Sequence, residues 1–383
     1  MCGIAGQIGY SSDMRKQAET MRAMAAVLAP RGPDAFGEYS DECAYLVHRR
    51  LIVVDPENGK QPMTSGRYTI VYNGELYNTE DIRAELLKRG ESFNGHSDTE
   101  VVLKAFIHYG EDCAKLFNGI FAFAVWDSTE KRLFLCRDRI GVKPLFYSVT
   151  SEGLVFASEI KALLKHPAIK PVIDRSGIMD IMLIGPAKRV GSGVFRDISE
   201  IPPAHFAWFD KDGLKLSKYW SVKAEPHTDS FEETSEKLRF LITDAVKRQL
   251  VSDVPLCCFL SGGLDSSVIS AIAAKEFRKR GERLSTWSID YKDNHRNFRA
   301  SSFQPDEDAP WIVKMAEYIG SQHTDVVLDT PALTDALDDA VLARDLPGMA
   351  DVDSSLYLFC KEIKKRFPVA LSGECADEYI YTG

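Results

Sequence analysis

No CxxC pair occurs in the chain, and its eight cysteines in 383 residues are too dilute for a disulfide framework. No His and Cys spacing marks a zinc site either. Reduced, mostly buried thiols are expected, with Cys2 set apart by its position. Positive charge is in short supply. Against 56 Asp and Glu stand 47 Lys and Arg, a net charge of -9, which argues against nucleic acid as a partner because phosphate binding needs a basic face. One local phosphate cradle is compatible with that balance. Apolar runs long enough to span a bilayer are missing, and Met1-Cys2-Gly3-Ile4-Ala5-Gly6 lacks the basic and apolar regions of a signal peptide. The expected location is therefore cytoplasmic, with no membrane partner. Internal repeats and low-complexity segments are absent too. What remains is an ordinary globular composition, 45% hydrophobic and 27% charged, long enough for two or three domains.

The first ~210 residues read mainly as strands joined by turns. Tyr68 to Tyr72 is extended, with Asn73-Gly74 after it, and Ile120 to Trp126 pairs with Leu133 to Cys136 across a polar turn. Two helices interrupt the pattern. Residues 80–89 carry Ile82, Leu86 and Leu87 on one face with Gly90 as a stop. Ser97-Asp98-Thr99-Glu100 has the pattern of a capping box opening a helix with Val101, Val102, Ala105 and Phe106. Stacked sheets covered by helices are expected. Residues 211–231 are polar and aperiodic and read as a linker, which places one domain at 2–210 and another at 232–383. In the second, strands and helices alternate: a helix near 232–250, a strand Val254 to Leu260, a helix Val268 to Phe277, a strand Leu284 to Ile289, a helix at 309–320 and a strand Asp325 to Leu328. That alternation implies a parallel sheet with helices on both faces.

Cys2 follows the initiator directly and is small enough to permit methionine removal. The exposed α-amine, with a pKa near ~7.7–8.0, could then take the proton of its own residue's thiol, which is N-terminal nucleophile catalysis. Further along stand Arg31-Gly32-Pro33-Asp34, His48-Arg49-Arg50-Leu51, Asn73-Gly74-Glu75-Leu76-Tyr77-Asn78 and Ser97-Asp98. Taken singly, each admits a plainer reading: a solvated arginine pair, a hairpin turn at Asn-Gly, a helix cap at Asp98. Ser261-Gly262-Gly263-Leu264-Asp265-Ser266-Ser267 lies between an apolar strand and a helix, where glycines let phosphate approach and a helix N-terminus supplies N–H donors. It is not a Walker A loop, since the GxxxxGK[ST] pattern is absent. Ser372-Gly373-Glu374-Cys375-Ala376-Asp377-Glu378 follows a second apolar strand.

In order and spacing, MCGIAG, RGPD, HRRL, NGELYN and SDTE resemble the glutaminase domain of class II glutamine amidotransferases, and SGGLDSS with SGECADE narrows the resemblance to the asparagine synthetase family. It covers essentially the whole chain. It implies an α/β multidomain fold: an N-terminal αββα sandwich of the N-terminal nucleophile hydrolase type, then an incomplete doubly wound parallel-sheet ATP-pyrophosphatase domain. It also implies glutamine-dependent synthesis of asparagine from aspartate and ATP, with a sheltered ammonia path between domains. By resemblance, Cys2 is the nucleophile, Arg50 binds the glutamine carboxylate, and Asp98 binds the ammonium. Asn73, Gly74 and Glu75 line that site, with the Asn73 side chain and Gly74 N–H as oxyanion donors. Phe259, Ser261, Gly262, Gly263, Asp265, Ser266, Ile289, Ser372 and Gly373 are assigned to ATP, Glu374 to acid–base work at the acyl-adenylate, and Asp265 and Asp377 to Mg²⁺.

After the second motif the chain runs Tyr379-Ile380-Tyr381-Thr382-Gly383, where the family continues with an aromatic–Gly–Gly stretch, further helices and a lysine that helps adenylation. The expectation is a fragment of a longer protein, competent in glutamine hydrolysis but not by itself in asparagine synthesis. Two other readings stay open: a relative that amidates another carboxylate, and a non-enzymatic protein with decayed sites. Assembly state is not readable from the residues, and a homodimer is left open.

Overall fold

The computed structural model describes residues 1–301 and 305–374. The chain divides into two compact units, Met1–Ala224 and Glu225–Gly383. Among the described residues the first unit has twelve strands. In chain order they are β1 (Gly3–Ile8), β2 (Ala35–Ser40), β3 (Ala44–Arg50), β4 (Met63–Ser65), β5 (Tyr68–Leu76) and β6 (Gly119–Asp127). Then come β7 (Arg132–Arg137), β8 (Phe146–Thr150), β9 (Gly153–Ala157), β10 (Ser199–Glu200), β11 (His205–Asp210) and β12 (Gly213–Lys218). They form two six-stranded sheets, ordered β10-β8-β9-β1-β3-β2 and β12-β11-β7-β6-β5-β4, antiparallel throughout.

The inner strands β5, β6 and β7 of the second sheet are buried on both faces, which is why their sequences read as unbroken apolar runs. In β6, Ala122, Ala124 and Trp126 join Ile4, Ile8 and Leu46 in the core between the sheets. The alternate residues Phe121, Phe123 and Val125 meet the helices, packing with Ile82, Leu86, Val101, Val102 and Phe106. The period of two therefore sorts one strand into two cores. On the outer face of the first sheet the helix Ala18–Val27 packs against β1 and β3 through Met21, Met24 and Ala25; the sequence reading had no helix there.

Other expectations need adjusting. Leu87 is exposed although Ile82 and Leu86 on the helix Thr79–Lys88 are buried. At the start of the helix Asp98–Tyr109, Ser97 accepts from the Thr99 N–H, but Glu100 does not return to Ser97. Its carboxylate instead accepts from the N–H groups of Asn94 and Gly95, so half of a capping box is present. Asn73 and Gly74 make no turn: β5 runs through them to Leu76, opposite Ala122 and Phe121. The domain end expected at 210 falls inside a hairpin, since β12 pairs with β11 from His205 to Lys218 and Tyr219 sits in the first unit's core. Most of 211–219 is thus sheet rather than linker. Alternating polar and apolar residues on an edge strand hide such a segment in sequence.

In the second unit β13 (Leu256–Phe259), β14 (Ser285–Tyr291), β15 (Gln322–Leu328) and β16 (Val369–Leu371) form a parallel sheet in the order β15-β14-β13-β16. Leu256 and Cys258 face one core with Ala273, Ala274 and Ile319. Cys257 faces the other with Phe359 and Ile363. Both faces are therefore covered, by helices Leu264–Lys279 and Ala309–Ile319 on one side and Ala350–Ile363 on the other. The chain steps outward from β13 to β15, then returns to β13's opposite edge with β16. In open α/β sheets that reversal point, at the carboxyl ends of the strands, is where ligands bind.

Phe134 is fully buried and rings with Phe106, Phe123, Phe206 and Trp208. Phe134→Ala should destabilise the first unit by ~3–5 kcal/mol, read as a lower denaturant midpoint of that unit's unfolding transition.

Candidate functional site

Strand parity assembles the first site. Cys2 lies one residue before β1, in phase with Ile4 and Ile8, and Arg50 ends β3 in phase with Ala44 and Leu46; all four of these apolar residues face the space between the sheets. Asn73 and Glu75 are in phase with Val71 of the same core. Alternation thus directs four polar side chains into an otherwise apolar interior. Asp98 comes from the N-terminus of its helix and accepts from Tyr72 Oη at 3.0 Å and Leu76 N at 3.2 Å.

Arg50 is 5% exposed. Its Nη2 donates to the carbonyls of Val54 and Asp55, and Nη1 to Pro56. Of the five N–H groups of a guanidinium, Nε and one on Nη1 have no partner among the described residues. The planar head is locked in place and still able to receive a carboxylate. Asn73 is 1% exposed, and neither its Oδ1 nor its Nδ2 has a partner among the described residues. An unpaired buried amide costs on the order of 1–3 kcal/mol, so this one is held ready for something polar. Gly74 lies inside β5, opposite Phe121. Phe121, opposite it, spends both backbone groups on Asp138, so the pair is not hydrogen-bonded and the Gly74 N–H points to the β4 side. There β4 reaches only Tyr68–Ile70, Gln61 takes the Tyr72 N–H and Asp98 the Leu76 N–H. The Gly74 N–H lies between them beyond the end of the partner strand. A Cβ at Gly74 would come 2.6 Å from the Ile120 oxygen, so no other residue fits.

Cys2 Sγ lies 3.7 Å from the Leu51 carbonyl, and Arg31 Nε donates to the Cys2 carbonyl at 2.8 Å. Burial pushes the thiol above its ordinary 9.0; the positive chain terminus pulls it down, and the Glu75 and Asp98 carboxylates push it up. Burial and the neighbouring Asp98 push Glu75 up to about 8. Burial raises Asp98 as well, its hydrogen bonds from Leu76 and Tyr72 pulling the other way. These two carboxylates behave as a pair that shares protons. Desolvation lowers Lys143, 5% exposed, to about 8. The sequence reading missed Lys143, Tyr72 and Arg31 as members of this site. Lys143 sits in the charged run Arg137-Asp138-Arg139-Ile140-Gly141-Val142-Lys143, which looks like a solvated loop. Arg137 gives the contrary clue only in the fold, where it is buried against the carbonyls of Lys143, Ile201 and Gly141.

The second site lies at the reversal point of the parallel sheet. A cavity of about 860 Å³ is lined by Phe259, Ser261, Gly263, Asp265 and Ser266 after β13, by Ile289 of β14, and by Ser372, Gly373 and Glu374 after β16. It thus gathers all but two of the residues expected to hold nucleotide or metal. Gly262 is adjacent, with φ +81. This left-handed turn, pressed against Trp311 and Asp308, is one only glycine adopts without strain. The Ser261 and Ser266 hydroxyls are 3.0 Å apart and close the loop. No side chain caps the 16-residue helix Leu264–Lys279, so its first N–H groups face the cavity, an arrangement suited to phosphate. Gly373 approaches Ser266 N closely enough that a Cβ would sit 3.0 Å away. Asp377 lies outside the described residues. Among those described, no group of three His, Cys, Asp or Glu could hold a metal ion. Asp265 offers a carboxylate from the loop, and Asp308 and Glu374 line the same cavity, a set that fits a hard cation held chiefly by phosphate oxygens.

Of the seven described cysteines none is bonded to another, five are buried, and Cys360 is exposed. No helix among the described residues is long and apolar enough to cross a membrane.

Residues 1–220 match the glutamine amidotransferase domain family and residues 237–382 the asparagine synthase family. The chain is 53% identical to glutamine-hydrolyzing asparagine synthetase 3 of Bacillus subtilis, over 99% of this chain and 62% of that protein. Identity is 32% to asparagine synthetase 1 of the same organism, covering 99% and 58%, and 32% to the asparagine synthetase of Cricetulus griseus, covering 100% and 67%. The chain spans about three fifths of the length of the curated relatives it matches.

Glu75 supplies a pH test. Its folded pKa of about 8 lies above the ordinary 4.5, so the folded state holds the proton longer. Stability present below pH 4.5 is then lost as pH rises through about 8. Glu75→Gln should therefore melt higher than the wild type at pH 8.5, with the gap closing at pH 5, in paired thermal scans.

Proposed function

Because this chain belongs to the asparagine synthetase family, we propose that its first unit hydrolyses glutamine at Cys2. The ammonia released attacks a carboxylate that the second unit activates with ATP, that of aspartate, giving asparagine. The observation that carries the first half is the buried Asn73 amide, neither of whose polar atoms has a partner among the described residues.

The chemistry follows from the side chains. With Met1 removed, the α-amine of Cys2 takes the thiol proton and the sulfur attacks the side-chain amide carbon of glutamine. Negative charge develops on the amide oxygen and accepts hydrogen bonds from Asn73 Nδ2 and the Gly74 N–H. The proton passes to the departing nitrogen, which leaves as ammonia, and water cleaves the thioester to glutamate. Arg50 receives the substrate carboxylate with its two remaining N–H groups. Asp98 and Glu75 receive the ammonium, whose positive charge favours their ionised forms.

In the second unit the loop Ser261–Ser267 and its helix N-terminus hold the phosphates, while Phe259 and Ile289 flank the base. Mg²⁺, bound with ATP, would neutralise departing pyrophosphate; Asp265 is positioned to share it. Adenylation gives the carboxylate a leaving group that hydroxide cannot be, and Glu374 accepts a proton from the attacking ammonia.

Glutamate release from glutamine tests the first half. Cys2→Ala should abolish it, and Asn73→Ala should lower kcat ~10²–10³-fold; no release by the wild-type chain would refute the reading. For the second half, aspartate labelled with ¹⁸O in its side-chain carboxylate, with glutamine and ATP, should place label in AMP. Label in phosphate would point to an acyl-phosphate instead.

A further inference from the structure

Lys143 is 5% exposed, yet no carboxylate lies within ion-pairing distance of its ammonium among the described residues. The contact that Nζ makes is with Met1 Sδ, at 2.8 Å. A buried cation facing only a thioether is costly, and the fold spends effort to keep it there. The Lys143 N–H donates to Asp138 Oδ2 at 3.0 Å, and its carbonyl accepts from Arg137 Nε at 2.7 Å. Arg137 is pinned in turn by Glu200 at 3.0 Å. The loop is braced, so the ammonium stands fixed beside the residue whose removal exposes the nucleophile's amine.

We propose that Lys143 is a positioning residue for this nucleophile: once Met1 is gone, its ammonium faces the α-amine of Cys2, and repulsion between two cations keeps that amine unprotonated. The inference rests on the proposed glutamine hydrolysis. Like charges close together in a poorly solvated site disfavour each other's ionisation, and a base has to be neutral to accept the thiol proton. The same ammonium attracts the thiolate once formed, which the Cys2–Lys143 attraction already reflects.

The groups around it agree with this. Arg31 adds a second positive charge but is committed to the Cys2 carbonyl and Glu159. Asp138 is committed to backbone N–H groups of Phe121, Ile140, Val142 and Lys143. Glu75 is the carboxylate with the largest pull on Lys143, with Asp98 acting on Glu75. Glu75 itself holds its proton to about pH 8, so it leaves the Lys143 charge uncancelled below that pH.

The test is the pH profile of kcat/KM for glutamine hydrolysis in wild type, Lys143→Met and Lys143→Arg, with alkylation of Cys2 by iodoacetamide followed in parallel on the N-terminal peptide. Losing the neighbouring charge raises the amine pKa. The acid limb in Lys143→Met should therefore move up by about half a pH unit or more in both measurements, and Lys143→Arg should restore it. An acid limb in the same place for all three, or one shifted equally by methionine and arginine, overturns the inference while leaving the hydrolase reading intact. Wild-type protein that keeps Met1 by intact mass and hydrolyses glutamine fully, or that fails to hydrolyse it at all, overturns both.

Discussion

A cluster of charge withdrawn from water between two sheets governs the first unit. Arg50, Lys143 and Arg31 face Glu75 and Asp98 around the Cys2 thiol, in a space that strand alternation otherwise fills with Ile4, Leu46 and Val71. Each group deprived of solvent moves toward its neutral form: carboxylates up, lysine down, thiol up. No interior polar group gains stability by being there. In the proposed reading the cluster is the complement of a small zwitterion, whose carboxylate would meet Arg50 and whose ammonium would meet Asp98 and Glu75. The large aromatic core on the far face of the second sheet holds this arrangement rigid. It lets Asn73 and Gly74 stay unpaired without the strand collapsing onto them.

Topology does for the second unit what parity does for the first. Strand order β15-β14-β13-β16 leaves a crevice where the chain reverses, and the loops after β13 and β16 enter it from two well-separated stretches of sequence. Ser266 N and Gly373 approach there as closely as glycine allows. The uncapped helix start needs an anion as much as an anion needs it. Hydroxyls of Ser261 and Ser266 bond each other, a pairing that a bound phosphate oxygen would replace at little cost, because hydroxyls rotate.

Much of this was legible in the residues. Fully buried strands announced themselves as apolar runs, and the helix at 79–88 showed its period and its Gly90 stop. SGGLDSS read as a loop between a strand and a helix, which is where it lies. Three things were not legible, for physical reasons. The β12 hairpin partner is an edge strand whose Lys215, Ser217 and Lys218 look like linker. Asn73-Gly74 has the composition of a turn, and only the partner strand β6 reveals that it continues the ladder. Lys143 has the composition of a surface loop; its burial depends on Arg137, six residues earlier, and on Glu200, which pairs with Arg137 from a strand distant in sequence. Local pattern records what a residue prefers, whereas these three positions were decided by what packs on them.

That leaves the choice of base. His48 is the obvious alternative to an N-terminal amine, since it sits opposite Ile4 on β3 with its side chain in the same inter-sheet space. Its Nε2 lies 3.1 Å from the Tyr72 carbonyl, which can only accept, so Nε2 carries the proton and Nδ1 is the free lone pair. Nδ1, however, is sealed without a partner, and burial with the Arg50 charge drops the imidazole to about 4. Charging it would strand a cation beside another cation, so it cannot accept a proton at neutral pH. Asp98 and Glu75 are poor bases for a different reason: they already share a tendency to hold protons and raise the thiol rather than lower it. Lys143, lowered to about 8, is also within the field of the thiol; under the proposed reading the base is the amine of the chain start, which lies in that field too. The electrostatics that disqualify the histidine and the carboxylates are thus the ones that suit a terminal amine kept neutral by its surroundings.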